Sequence, residues 1–297
     1  MANAKEIDLY ARQKRLAWVL ITPSVLVVLL IIAFPTIQVL VYSVLRCKLD
    51  GVTPWSFNGF DNYAFVLSDP DWWNAVWVTL IFTVVSVVLE SVLGLAIAMV
   101  ANSKFKGRTF LRVAILVPWA IPTVVSSKIW AWMVNDIYGV VNVILSGLHL
   151  IPQKIAWLAT PATAIPVIIA VDVWKATPFM ALLLLAGLQL IPKDLYEAGS
   201  IDGATKMRQF WAITLPLVTP TLLVALIFRT LDALRVFDIF YVMVGGQANL
   251  STMAVYNQQQ LVSFLDAGVG SATSVIILAI IALFVVLYTR FSRTSFE

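Results

Sequence analysis

Six long apolar stretches alternate with shorter polar ones along this chain, near residues 16–45, 75–101, 109–134, 161–188, 215–243 and 269–290. Each is long enough for an α-helix to cross a bilayer core, which takes ~20 apolar residues. The pattern predicts an all-α, polytopic membrane protein with six transmembrane helices in one transmembrane domain spanning 1–297. The first stretch is too long for the apolar region of a secretory signal, and no convincing cleavage site follows it. It reads as a span that stays in place.

Lysine and arginine orient the spans, because cytoplasmic loops carry their excess. One set of termini and loops holds thirteen: Lys5, Arg12, Lys14, Arg15, Lys104, Lys106, Arg108, Arg112, Lys193, Lys206, Arg208, Arg290 and Arg293. The opposite set holds three: Arg46, Lys48 and Lys154. Both termini are therefore expected in the cytoplasm.

Composition agrees with the pattern. The chain is 61% hydrophobic and 12% charged, with a mean hydropathy of +0.91, whereas a soluble domain is about a quarter charged. A lone cysteine, Cys47, excludes an intrachain disulfide, and a lone histidine, His149, excludes every multi-histidine metal site. No glycine precedes a lysine and no GxSxG occurs, so neither a P-loop nor a hydrolase elbow is present. The net charge of +4 requires no nucleic acid.

Three external segments are expected. "RCKLDGVTPWSFNGFDNYAFVLSDPDWW" is rich in turn residues, and Trp72, Trp73 and Trp77 suit an interfacial belt. "NDIYGVVNVILSGLHLIPQKIAWLATP" is amphipathic and partly helical. "GGQANLSTMAVYNQQQLVSFLDAGVG" is polar, with Gln247 and Asn249 facing a soluble partner or serving as a plain loop. Pro118, Pro122, Pro161, Pro166 and Pro178 predict kinked or broken spans.

Eight ionisable residues fall at membrane depth: Glu90, Lys128, Asp172, Lys175, Arg229, Asp232, Arg235 and Asp238. Such charges are costly unless paired or wetted. Glu90 and Lys128 are read as structural. Arg229, Asp232, Arg235 and Asp238 alternate in sign at i, i+3, which predicts a stripe on the fifth helix. The stripe is either an ion-pair ladder or the wall of a polar passage. In the second case Asp172, Asp232, Arg235 and Trp119 would offer a polar solute hydrogen-bond acceptors, hydrogen-bond donors and an aromatic plane.

Between the fourth and fifth stretches stands "DLYEAGSIDGATKMRQFWAITLP", Asp194–Pro216. "KDLYEAGSID" reads as a short helix with Leu195, Ala198 and Ile201 on one side. Gly203 supplies a bend. "ATKMRQFWAI" reads as a second short helix, and Pro216 opens the fifth span. This predicts a helix–turn–helix at 189–216 on the cytoplasmic face, either a plain connector or a docking element.

The spacing E-A-x-x-x-D-G-A…F-x-x-I-x-L-P resembles the EAA loop of permease subunits of ABC importers. Glu197, Ala198, Asp202, Gly203, Ala204, Phe210, Ile213, Leu215 and Pro216 match it. The family's second alanine is Gly199 here, which is expected to loosen the first helix. "FNGFDNYAFVLSDPDWWNAVWVTLIFT", "VFDIFYVMVGG" and "FLDAGVGSATSVIIL" are similar to maltose-type (MalF-like) permeases. "VWKATPFMALLLLAGLQLIP" and "LIFRTLDALRVFD" are similar to trehalose-type members.

The resemblance implies the type I permease fold of ABC importers, in a bacterial or archaeal cytoplasmic membrane. It implies a second, MalG-like permease subunit, two ATPase subunits, an external sugar-binding protein and surrounding lipid as partners. No cofactor is expected on this chain, since ATP and Mg²⁺ belong to the ATPase subunits, and no catalysis. The coupling residues implied are Glu197, Ala198, Asp202 and Gly203, with Glu197 pairing a basic residue of the ATPase. The substrate contacts implied are Trp119 and Thr123 from "PWAIPT", Asp172 and Ala176 from "DVWKATP", and Leu231, Asp232 and Arg235. Five of the seven differ from the maltose pattern in kind or size. The cargo implied is a disaccharide or short oligosaccharide, trehalose first, with maltose, sucrose, other glucosides and glycerol phosphate left open. The competing reading is a self-contained secondary transporter or channel that uses the intramembrane charges as a relay. It leaves the Asp194–Pro216 motif unexplained, and no inverted repeat supports it.

Overall fold

The computed structural model describes residues 4–293. In chain order, α1 (Ala4–Ser43) leads to a two-residue ribbon of β1 (Leu45–Arg46) and β2 (Ser56–Phe57), then α2 (Asp61–Ser68). Next come α3 (Pro70–Asn102), α4 (Arg108–Ala120), α5 (Thr123–Met133), α6 (Val140–Gly147) and α7 (Pro161–Gln189). They are followed by α8 (Lys193–Ile201), α9 (Lys206–Gln209), a π turn (Phe210–Thr214), α10 (Leu215–Ala233), α11 (Asp238–Val244), α12 (Met253–Gln258) and α13 (Ala267–Arg293). Five helical segments are long and apolar enough to cross a bilayer: Arg12–Ser43, Pro70–Asn102, Pro161–Gln189, Lys206–Ala233 and Ala267–Arg290. The pair α4 and α5 makes a sixth if the two together count as one span, and they are bent by 89°.

The third span is broken, as its prolines predict: at Ile121–Pro122 both residues are extended, and Pro122 has no N–H with which to continue the helix. One expected span is corrected. The fifth does not run as one helix over 215–243. It begins earlier, at Lys206, and stops at Ala233; after an irregular turn Asp238 opens α11 as its first-turn acid. The prolines of the fourth span do not break it: α7 opens on Pro161 and continues through Pro166 and Pro178.

The chain forms two compact units. One comprises, of the described residues, 4–68 and 260–276. Its centre is Asn62, whose amide donates to the carbonyls of Ser43 and Leu45, both at 2.9 Å. Tyr63 Oη donates to Ser43 Oγ at 2.7 Å. Residues 265–268 close against the ribbon, with Leu49 N donating to Leu265 O at 2.7 Å and Gly268 N to Cys47 O at 3.0 Å. Gly268 permits this approach, since a Cβ there would lie 2.4 Å from the Leu45 carbonyl.

The other unit comprises, of the described residues, 69–259 and 277–293. Its axis is the pairing of α3 with α7, and α10 packs against both. Small residues let the backbones meet: a Cβ on Gly94 would fall 2.7 Å from Met180, and one on Gly187 would fall 2.6 Å from Thr221. In lipid such close packing holds helices together, because apolar burial supplies little drive there. Phe82 and Phe240 meet edge to face at 5.2 Å, in a cluster with Ile168 and Val171. Val84, Val88 and Val92 on α3 lie on the exposed apolar face that a bilayer solvates.

The polar segment 247–260 is tucked in more than its composition predicts. Leu250, Ser251, Thr252 and Met253 are buried, and Met253 N donates to Thr79 Oγ1 at 3.0 Å. Gln247 and Asn249 are exposed.

Candidate functional site

Arg229, near the end of α10, is 4% exposed and carries every ion pair found among the described residues. Its Nε and Nη2 donate to Glu90 of α3, which is fully buried, and Nη2 also donates to Asp172 of α7. Its Nη1 donates to Asp232 Oδ2 at 2.9 Å. One guanidinium thus joins three helices. The planar fork of arginine permits this, where a lysine would offer a point charge. Glu90 continues a polar stripe of α3 that includes Thr79, Thr83 and Ser86, all buried.

The ion-pair ladder, one of the two readings of the charged stripe, forms only at its first rung, Arg229–Asp232. The helix ends at Ala233, so the i, i+3 register is lost beyond Asp232. Arg235 Nε donates instead to the Leu231 carbonyl at 3.1 Å, and neither Arg235 nor Asp238 has an ion-pair partner among the described residues. Glu90 is structural, as its sequence position suggests. Lys128 is exposed and unpaired among the described residues, so it locks nothing there.

Beside Arg229 lies a cavity of about 270 Å³. Trp119 and Thr123 reach it from the two sides of the α4–α5 break, Asp172 and Ala176 from α7, Asp232 from the end of α10 and Arg235 from the turn that follows it. Six of the seven residues singled out in the sequence are therefore brought to one space. Leu231 is not among the lining residues: it lies one position before Asp232 on the helix and is half-buried. Lys175, Val236, Phe237, Asp238 and Ile239 also line the cavity. In the sequence Lys175 stands out only as a charge at membrane depth, and Asp238 as the last member of the charged stripe; the others carry no chemical signal there. The walls offer carboxylate acceptors, guanidinium and ammonium donors and aromatic faces, the set that a polyhydroxylated molecule uses.

Residues 193–216 form the second candidate element. α8 ends at Ile201 with Asp202 as its C-cap, and Gly203 takes a left-handed φ of +74°, which glycine adopts at least cost. Thr205 then caps the next helix by accepting from Arg208 N at 3.3 Å. The second helix is not a separate piece. It passes through the π turn into α10, and that turn absorbs the backbone disruption of Pro216 immediately after it.

The two arms are tied by Gln209, 3% exposed, whose Nε2 donates to Ser200 Oγ at 2.9 Å and to the Tyr196 carbonyl at 3.3 Å. Tyr196 Oη and Thr214 Oγ1 meet at 3.0 Å. Gly199 faces this junction: a Cβ there would lie 3.3 Å from Ile213 Cδ1. Its glycine therefore sets a close contact between the arms rather than merely loosening α8. Outward stand Glu197, Ala198 and Asp202, with Ile201, Met207 and Trp211 exposed around them. Glu197 has no ion-pair partner among the described residues.

Within the larger unit, packed spanning helices, a polar cavity and an exposed hairpin define a membrane transport subunit. The profile of the family described as "Binding-protein-dependent transport system inner membrane component" matches residues 90–295. The chain is 43% identical over 297 residues to the trehalose/maltose transport system permease protein MalF of Thermococcus litoralis, covering 99% of each. It is 41% identical to the sulfoquinovosyl glycerol transport system permease protein SmoG of Agrobacterium fabrum, covering 94% of this chain and 91% of SmoG. It also superimposes with a TM-score of 0.83, at 22% identity, on a chain of a bacterial ABC transporter that imports alginate, covering 97% of this chain and 99% of that one. The chain belongs to the inner-membrane permease family of binding-protein-dependent ABC importers.

Proposed function

We propose that this chain forms half of the membrane passage of an ATP-driven importer for a neutral disaccharide or short oligosaccharide, with trehalose the first choice. The observation that carries this is the cavity at Trp119, Thr123, Asp172, Ala176, Asp232 and Arg235. Its carboxylates accept from vicinal hydroxyls, its cations donate, and Trp119 and Phe237 offer ring faces to the C–H side of a sugar.

Charge bears on the choice among cargoes. Asp172, Asp232 and Asp238 stand against Lys175, Arg229 and Arg235 in the cavity wall, and Glu90 lies directly behind. No cationic surplus is left for a sulfonate or a phosphate. This favours an uncharged sugar, such as those in the name of the Thermococcus relative, over the anionic one in the name of SmoG.

The hairpin 193–216 serves in this reading as the coupling element. Ile201, Met207 and Trp211 would enter a groove of a cytoplasmic ATPase, and Glu197 would pair with a basic residue there. ATP and Mg²⁺ act on two such ATPase subunits, and this chain performs no chemistry of its own. A second, MalG-like permease completes the passage, an external binding protein delivers the sugar, and both termini lie in the cytoplasm.

The test is ATPase activity of the reconstituted transporter with its binding protein, across trehalose, maltose, sucrose, sulfoquinovosyl glycerol and glycerol phosphate. Stimulation by an uncharged disaccharide is expected. Stimulation by the anionic compounds alone would overturn the cargo, and failure of any ATPase to copurify would overturn the coupling role.

A further inference from the structure

The break between α4 and α5 exposes backbone that a membrane protein cannot leave unsatisfied. Ile121 and Pro122 belong to neither helix, with ψ of 132° and 139°, and the two helices diverge by 89°. The last carbonyls of a helix have no intrahelical donors, and in a bilayer they must find them elsewhere. The Ile121 carbonyl finds one 54 positions away: Lys175 Nζ donates to it at 2.9 Å. An ammonium suits that position, because it makes a charge-assisted bond and lies at the negative end of the α4 dipole.

Among the described residues Lys175 makes no other hydrogen bond, and the carboxylates of Asp172 and Asp232 act on its charge only at longer range. All ion pairs among the described residues converge on Arg229, and none includes Lys175. A second contact supports the first from the same face of α7. Phe179, one turn beyond Lys175, stacks on Trp119 at 6.2 Å with planes 19° apart. The end of α4 is thus fixed to α7 at its backbone and at its last aromatic side chain. Lys175 also lines the cavity that Trp119 and Thr123 face from either side of the break.

We propose that Lys175 is a positioning residue: its bond to the Ile121 carbonyl holds the third span broken, and so sets Trp119 and Thr123 on one cavity wall. The inference deepens the sugar-importer reading and rests on it for what fills the cavity. Cargo and hinge then share one donor, since the remaining N–H groups of the ammonium are free to face a sugar hydroxyl.

The test places spin labels at two exposed positions, Val113 on α4 and Ile129 on α5, in the reconstituted transporter. The wild type is expected to give one narrow distance distribution. Lys175→Met is expected to displace or broaden it, and Lys175→Arg to restore it. The sugar concentration that half-saturates ATPase stimulation is expected to rise about ten-fold in Lys175→Met and to recover in Lys175→Arg, as for one lost charged hydrogen bond. If Lys175→Met does not assemble, Lys175→Gln replaces it and must give an intermediate distribution. An unchanged distribution overturns the proposal, even if the sugar response weakens, since Lys175 would then be a direct ligand only. A wild-type transporter that no sugar stimulates refutes the cargo reading instead, and leaves the distance measurement to decide the hinge.

Discussion

Arg229 and Glu90 lie 139 positions apart in sequence and form a two-pronged ion pair in the interior, with Glu90 fully buried and Arg229 4% exposed. Asp172 and Asp232 complete the arginine's partners. Removing one member of such a pair strands the other charge out of water, which costs about 3–5 kcal/mol. Arg229→Met is therefore expected to destabilise the subunit severely, leaving three carboxylates without their cation. Glu90→Gln is expected to cost less, since Asp172 and Asp232 remain. Thermal unfolding of the purified transporter in detergent orders the two variants, and equal stability of Arg229→Met and wild type would count against the hub.

Gly187 of α7 meets Thr221 of α10 with no room for a side chain. Gly187→Leu is expected to force the two helices apart and to lower stability by about 1–3 kcal/mol or more, as overpacking does. Gly147, where a Cβ would meet nothing within 4 Å, provides the control. Gly147→Ala is expected to be near neutral in the same melting assay.

The hairpin predicts a separation of two defects. Glu197→Lys reverses an exposed charge with no partner of its own in this chain, so folding is expected to survive while ATPase-driven uptake is lost. Gln209→Ala removes the tie between the arms and is expected to cost about 1–3 kcal/mol locally through the stranded groups. Uptake and ATPase copurification, measured side by side, distinguish the two. Wild-type uptake by Glu197→Lys would argue against coupling through this face.

Cys47 is the only cysteine in the chain and is fully buried. Burial pushes its thiol pKa up, and the neighbouring Asp266 carboxylate adds to the shift. The reactive thiolate is therefore scarcer at neutral pH than for an ordinary cysteine, and more of it forms only as pH rises. Slow labelling by a charged maleimide is expected in the folded protein at pH 7, with rapid labelling after denaturation. Fast labelling of the native transporter would contradict the packing of residues 265–268 on the ribbon.

Much of the architecture was legible because a bilayer imposes it: spans must be long and apolar, and lysine and arginine mark their ends. The break at Ile121–Pro122 had its prolines as a signal. The end of α10 at Ala233 had none, since the apolar run continues through Val236 and Phe237 and only the backbone turns aside. That turn is why a stripe of four alternating charges yields a single ion pair of its own, Arg229–Asp232. The joining of Glu90, Asp172 and Arg229 was invisible for another reason: it depends on which faces of three helices meet, and no local spacing encodes that. The hairpin was readable from its motif, yet its continuity with α10 through a π turn was not.

Uptake of labelled trehalose into proteoliposomes by Asp232→Asn and Arg235→Gln variants tests the central claim most directly. Asp232 is 74% exposed in its side chain and Arg235 lies outside every ion pair among the described residues, so neither change removes a buried anchor. If the cavity is the passage, uptake is expected to fall about ten-fold or more per variant, while the ATPase subunits still copurify. Undiminished uptake by both variants would mean that the sugar crosses elsewhere.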